Sequence, residues 1–188
     1  MTDFTIHSIE TAPEDSKGLL EGSLKGFGMV PNLHGVLAEA PAALEAYKAV
    51  GDLFASSSLS KVEQNVVWLA INVEHSCHYC VPAHTMIAKS QGVDDETIEA
   101  LRDATPISDN KLEALRAFTL KVVRGRGIVS EADTQAFLEA GYTKQNILEV
   151  ILGVSHKVIS NYANHFAETP VDAPFGAFAW EPKSVAAE

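Results

Sequence analysis

The sequence has no apolar run approaching the roughly 20 residues needed to cross a bilayer. Its N-terminus, MTDFTIHSIETAPEDSK, lacks the basic segment and apolar stretch of a secretory leader. A cytoplasmic location is therefore the expectation. Positive charge is scarce: 14 Lys and Arg stand against 25 Asp and Glu, for a net charge of −11. Such a surface repels phosphate backbones and anionic lipid, so no nucleic acid and no membrane is expected as a partner. No G-x-G-x-x-G follows a strand pattern, and no cofactor is expected. Only two cysteines are present, Cys77 and Cys80. A secreted disulfide scaffold uses more of them, at longer spacing. Two cysteines three positions apart close almost no loop and staple a fold poorly. Their spacing points instead to redox chemistry or metal binding.

What the chain does have is helical periodicity, with no convincing strand pair. At 188 residues it is long enough for one domain with a sizeable core. The expected fold is an all-α, single-domain helical bundle. Its core spans about 40–168, with an N-terminal helical arm over 1–30 and a packing tail over 170–188. Gly18, Gly22, Gly26 and Gly28 are expected to break the arm into short helices. Pro41 suits the first turn of a helix to about Ala55. Ser60 and Glu63 form a capping-box pattern. Val62, Val66, Leu69, Ala70 and Val73 then recur at the spacing of a buried helical face. That helix ends near His75, and the next runs from about Cys77 to Gln91, stopped by Gly92. Thr143 opens a long apolar helix to about Phe166.

The segment Glu74-His75-Ser76-Cys77-His78-Tyr79-Cys80-Val81-Pro82-Ala83-His84 carries the chemistry. A helix begun at Cys77 puts Cys77, Cys80 and His84 at i, i+3 and i+7, on one face. In the first turn, free N–H groups and the helix dipole favour a thiolate. Two cysteines across one turn reach disulfide geometry easily, and His84 can move a proton. This suits a dithiol peroxidase cycle. One thiolate attacks the O–O bond of a hydroperoxide, the leaving alkoxide takes a proton, and the sulfenic acid condenses with the second cysteine. Two readings compete. The cysteines could be inert core residues. They could also join His84 and one of His75, His78 or Glu74 around zinc, although zinc ligands usually come from two separate segments.

Leu59-Ser60-x-x-Glu63, the apolar helix, Cys77-x-x-Cys80-x-x-x-His84 and Gly92-Val93-Asp94-Asp95 together resemble the core of the alkylhydroperoxidase AhpD and carboxymuconolactone decarboxylase superfamily. Gly28-x-Val30-Pro31-Asn32 and the stretch from Gly141-Tyr142-Thr143 to Asn164 resemble its longer, peroxidase-related branch. The resemblance implies an all-helical fold that assembles as a homo-oligomer, a trimer or hexamer. It implies reduction of a small-molecule organic hydroperoxide, with a thiol or disulfide reductase system as electron donor. It gives Cys80 the peroxide-attacking role, Cys77 the disulfide partner's and His84 the proton relay's.

Two positions depart from the family pattern. The relay glutamate, 12 residues before the first cysteine, is Asn65 here. The histidine before the second cysteine is Tyr79. Glu74, three residues before Cys77, is the candidate replacement acid; its alternative is a solvated carboxylate at a helix end. His75 and His78 read as exposed or hydrogen-bonded junction residues. His156, Asn161, Asn164 and His165 face either the pocket or a subunit interface. The alternative activities are a thiol–disulfide oxidoreductase acting on a protein partner and a lyase of the decarboxylase kind, whose chemistry needs no cysteine.

Overall fold

In the computed structural model, which describes residues 4–182, the chain is all-helical, with no strand among the described residues. Among the described residues nine α-helices follow in order: α1 Glu14–Phe27, α2 Asn32–Leu37, α3 Pro41–Ala55, α4 Lys61–Glu74, α5 Cys80–Ser90, α6 Asp95–Arg102, α7 Asn110–Arg124, α8 Glu131–Glu139 and α9 Lys144–Ala167. A short 3-10 helix, Ala173–Phe178, packs against α5. No helix among the described residues is long and apolar enough to cross a membrane.

The central element is α4. Ser60 Oγ accepts from the Glu63 N–H at 3.3 Å, and Glu63 accepts from the Ser60 N–H at 2.8 Å. The capping box thus satisfies two donors that the first turn leaves open. Every residue from Gln64 to Asn72 is buried. A helix covered on all sides belongs at the middle of a bundle, and α4 packs on α5, α6, α7 and α9. Phe54, Leu69, Ile71, Ile98, Leu115 and Phe137 join one apolar cluster around it. A second cluster gathers Leu20, Leu33, Leu44, Cys77, Tyr79, Cys80 and Phe175. The two cysteines therefore belong to the apolar interior between the N-terminal helices and the tail.

The long helix α9 crosses α3 and α4 closely at Gly153. A Cβ there would lie 2.8 Å from both Phe54 and Val67. This crossing brings the polar residues of α9 down onto the start of α5.

Two expectations about this region need correction. The glycines at 18, 22 and 26 do not break the arm: α1 runs through them and stops at Gly28, whose φ of 73° ends it in the left-handed region. Buried Leu20, Ser16 and Ser23 anchor one face of that helix, which offsets the poor propensity of its glycines. Nor does α5 begin at Cys77. Ser76 adopts a φ of 53°, its N–H donates to Val73 O, and the Cys77 N–H reaches back to Asn72 O. This is a Schellman stop on α4. It holds Cys77 in a turn, and α5 starts only at Cys80.

A Gly153→Val substitution forces Phe54 and Val67 apart and is expected to destabilise the fold by about 1–3 kcal/mol. Gly26 has open space around it, so Gly26→Ala is expected to be neutral or to stabilise by up to roughly 1 kcal/mol. Urea unfolding of the two variants checks both signs.

Candidate functional site

Cys80 occupies the first turn of α5, and Cys77 sits one turn below it. The helix has no side-chain cap from Tyr79; the Cys80 N–H donates instead to Cys77 Sγ at 3.3 Å. Pro82 is accommodated because its position in the first turn needs no intrahelical N–H. His84 lies one turn beyond Cys80 on the same face. Both cysteines are free thiols and both are buried.

A groove of about 820 Å³ reaches this point. Phe27, Tyr47, Trp68, Cys80, His84 and His156 are among the residues that line it, whereas Cys77 lies behind the wall. The volume is that of an ordinary small-molecule site. Aromatic rings shape its interior: Tyr47 stacks on His156 at 4.5 Å, and Trp68 tilts against His84 at 5.1 Å.

From the far side α9 supplies three polar residues at i, i+4 and i+7. Asn164 Nδ2 donates to Cys80 Sγ at 3.2 Å. Asn161 donates to Asn72 Oδ1 at 2.9 Å and bonds the His75 ring through its own oxygen. Lys157, with no solvent exposure, places Nζ 2.8 Å from His84 Nε2. Among the described residues, His84 Nδ1 has no hydrogen-bond partner.

These contacts set the charge states. Burial pushes the Cys80 thiol up, but the hydrogen bond with Cys77, the Lys157 charge and the Asn164 and Asn161 amides outweigh it. The net effect brings Cys80 down to about 6. Cys77 moves the other way, pushed far up by its hydrogen bond to Cys80 and by burial. Burial, then the nearby Lys157 charge, hold His84 well below the usual histidine range, so it is neutral. Burial lowers Lys157 as well, while the two cysteines pull it back up.

The structure brings Cys77, Cys80 and His84 to one place but does not bring Glu74 there. Arg124 donates two hydrogen bonds of 2.7 Å to the Glu74 carboxylate. The pair lines a separate crevice of about 40 Å³ with Arg116. Glu74 is the last residue of α4, and the chain turns away before Cys77. The candidate replacement acid is therefore a surface ion pair. Asn65 is fully buried and ties Lys61 O to Gln91 Oε1, both at 2.8 Å. Tyr79 holds the fold together here. Its hydroxyl donates to Asp172 at 2.5 Å, and Asp172 also accepts from the Asn32 N–H. That link fastens the tail and α2 to the cysteine turn. His78 donates to Thr169 O at 2.9 Å, and His165 is exposed. Among the described residues, no three His, Cys, Asp or Glu side chains are grouped so as to hold a metal ion.

Lys157 is the site residue that sequence reasoning missed. Its signal was present: a lysine in phase with Asn161 and Asn164 on α9.

Residues 38–121 match the sequence profile of the carboxymuconolactone decarboxylase family. The match spans less than half of the chain. Solved structures of the same fold include an uncharacterized peroxidase-related protein with an alkylhydroperoxidase AhpD core from Ralstonia eutropha JMP134. It has a TM-score of 0.82 at 22% identity, over 92% of this chain and 93% of that one. An uncharacterized peroxidase-related protein from Silicibacter sp. TM1040 has a TM-score of 0.77 at 20% identity, over 93% and 95%. A cysteine-to-alanine variant of the debrominase Bmp8, in complex with 2,3,4-tribromopyrrole, has a TM-score of 0.77 at 14% identity, over 94% and 95%. At these identities the likeness is one of fold. A comparison with curated proteins finds no significant sequence match. At the position where the resemblance puts a relay glutamate this chain has the amide of Asn65, and a buried lysine, Lys157, stands against His84.

The Cys80 value sets an expected pH profile. A lowered thiol is a thiolate above its midpoint and loses that form as pH falls through it. Alkylation by iodoacetamide should therefore rise with pH around a midpoint near 6 and occur at Cys80, not Cys77. Glu74→Gln is expected to leave this profile unchanged and to cost at most about 1 kcal/mol of stability. Mass-spectrometric mapping of the alkylated cysteine, repeated across pH, checks the profile, and urea unfolding checks the stability.

Proposed function

We propose that the protein is a thiol-dependent peroxidase that reduces organic hydroperoxides through Cys77 and Cys80. The observation that carries this reading is the asymmetry of the pair. Cys80 faces the groove with a lowered thiol, and Cys77 sits behind it with a raised one. The Cys80 thiolate attacks the terminal oxygen of the hydroperoxide. The S–O bond forms, the O–O bond breaks, and the alkoxide leaves with a proton from His84. The sulfenic acid then meets the Cys77 thiol: the S–S bond forms and water departs. A thiol or disulfide reductase system returns the pair to the dithiol.

Burial favours a small molecule over a protein disulfide as the oxidant, because Cys80 is only 2% exposed and Cys77 not at all. A lyase has no use for such a pair. The same reading keeps a homo-oligomer. Leu148, Ile151, Tyr162 and Phe166 leave an apolar stripe exposed along one face of α9.

One observation favours a second reading. The groove is walled by aromatic rings, and a protein of the same fold, the debrominase Bmp8, carries a brominated pyrrole. The dithiol balances such a reaction too: the aryl bromide and two thiols give the arene, a disulfide and hydrogen bromide.

The test is a thiol titration before and after one equivalent of cumene hydroperoxide. Two thiols should be lost per chain and recovered with dithiothreitol. Cys80→Ser should abolish the reaction, and Cys77→Ser should stop at a sulfenic acid that dimedone traps. If neither serine variant slows peroxide consumption, the reading fails. Bromide release from a bromopyrrole, with no peroxide turnover, would move the assignment to the second reading.

A further inference from the structure

Lys157 raises a question that the dithiol cycle leaves open: what replaces the proton that His84 gives up. The Nζ atom is fully buried and touches His84 Nε2 at 2.8 Å. The titratable groups that interact with it come from several elements. They are His84 and Cys80 of α5, Cys77 of the preceding turn, His34 of α2 and the adjacent His156 of α9, with the uncharged Trp68 ring of α4 5.9 Å from Nζ. The histidines are held neutral, by burial first and by the lysine's own charge among the other causes. Among the described residues, no carboxylate forms an ion pair with Lys157. Among the described residues, the anion that the site offers a buried ammonium is therefore the Cys80 thiolate.

A buried ammonium is tolerated only while its counter-charge is present. Disulfide formation removes that counter-charge. We propose that Lys157 is the proton reserve of the site: an ammonium while the dithiol is reduced, and a neutral amine once Cys77 and Cys80 are joined. The inference rests on the dithiol reading above.

The balance closes. In the reduced site Cys80 is a thiolate, Cys77 a thiol and Lys157 an ammonium, with no net charge. Attack on the hydroperoxide forms the Cys80 S–O bond and breaks O–O, which releases an alkoxide. His84 passes its Nδ1 proton to the alkoxide and takes one at Nε2 from Lys157. Condensation of the sulfenic acid with the Cys77 thiol then yields water. The products are an alcohol, water, a disulfide and a neutral amine, again with no net charge. No proton has to be drawn from bulk water during oxidation. Lys157 thus acts through His84, as a positioning and proton-storing residue, in place of the carboxylate that Asn65 cannot supply.

The test compares the reduced and disulfide forms of the whole protein by NMR of the lysine side-chain nitrogens at pH 7.5. The Lys157→Arg spectrum assigns the resonance. The Lys157 signal should be that of an ammonium in the dithiol and of a neutral amine in the disulfide. In parallel, Lys157→Arg, which keeps a charge but does not release a proton, should leave the Cys80 alkylation midpoint near that of the parent. It should also lower kcat/KM for cumene hydroperoxide by about a hundredfold. Lys157→Met should raise the midpoint. The arginine variant and the NMR signal keep the test intact if the methionine variant does not fold. A lysine signal unchanged by disulfide formation, or an arginine variant with undiminished turnover, overturns the inference alone. A protein that forms no disulfide overturns the dithiol reading itself.

Discussion

An ammonium inside a helical bundle is costly, by about several kcal/mol even after relaxation, unless a negative charge and hydrogen bonds meet it. Lys157 is such a group. Its side chain is shut off from solvent and ends against His84, beside the two cysteines. The cost and the chemistry are two sides of one interaction. The thiolate makes the buried lysine tolerable, and the lysine, with Asn164 and Asn161, makes the buried thiolate tolerable. Removing either leaves an uncompensated interior charge, so their protonation states are tied together.

The rest of the fold can be understood as the scaffold for this contact. The close crossing at Gly153 lets α9 approach α3 and α4, and that approach carries Lys157, Asn161 and Asn164 to the start of α5. The stop of α4 at Ser76, in a backbone conformation that disfavours a side chain, turns Cys77 back under Cys80. Cys77 then caps α5 with its own sulfur. Tyr79 and Asp172 clamp the turn to α2 and to the tail. Each device is local, and together they fix one cysteine toward the groove and the other behind it.

The helices were largely legible from capping residues and apolar spacing. Ser60 with Glu63, and Thr143, cap helices that the sequence pattern marks. The likeness to the carboxymuconolactone decarboxylase family over residues 38–121 was legible too, because C-x-x-C-x-x-x-H sits in a distinctive helical context. The start of α5 was misread because Ser76 is not a glycine, so the left-handed stop before Cys77 leaves no ordinary mark. Glu74 looked like a replacement acid by nearness in sequence. Its true neighbour, Arg124, lies 50 residues on, and no local pattern announces that pair. Lys157 was hidden for the same reason: it is 73 residues from His84, and only tertiary packing joins them. Its phase with two asparagines was the available clue. A lysine in a polar stripe is usually a solvated one, which made the clue easy to pass over.

The most direct test of this account is the reduction potential of the Cys77–Cys80 pair in a dithiothreitol redox buffer, followed between pH 7 and 8.5. If the lysine loses its proton when the disulfide forms, two protons accompany the two electrons of reduction. The potential should then fall by about 59 mV per pH unit. A fall of about 30 mV per unit means that the lysine keeps its charge in both states. Absence of a reversible couple means that the cysteines do no redox work. Either result contradicts the account.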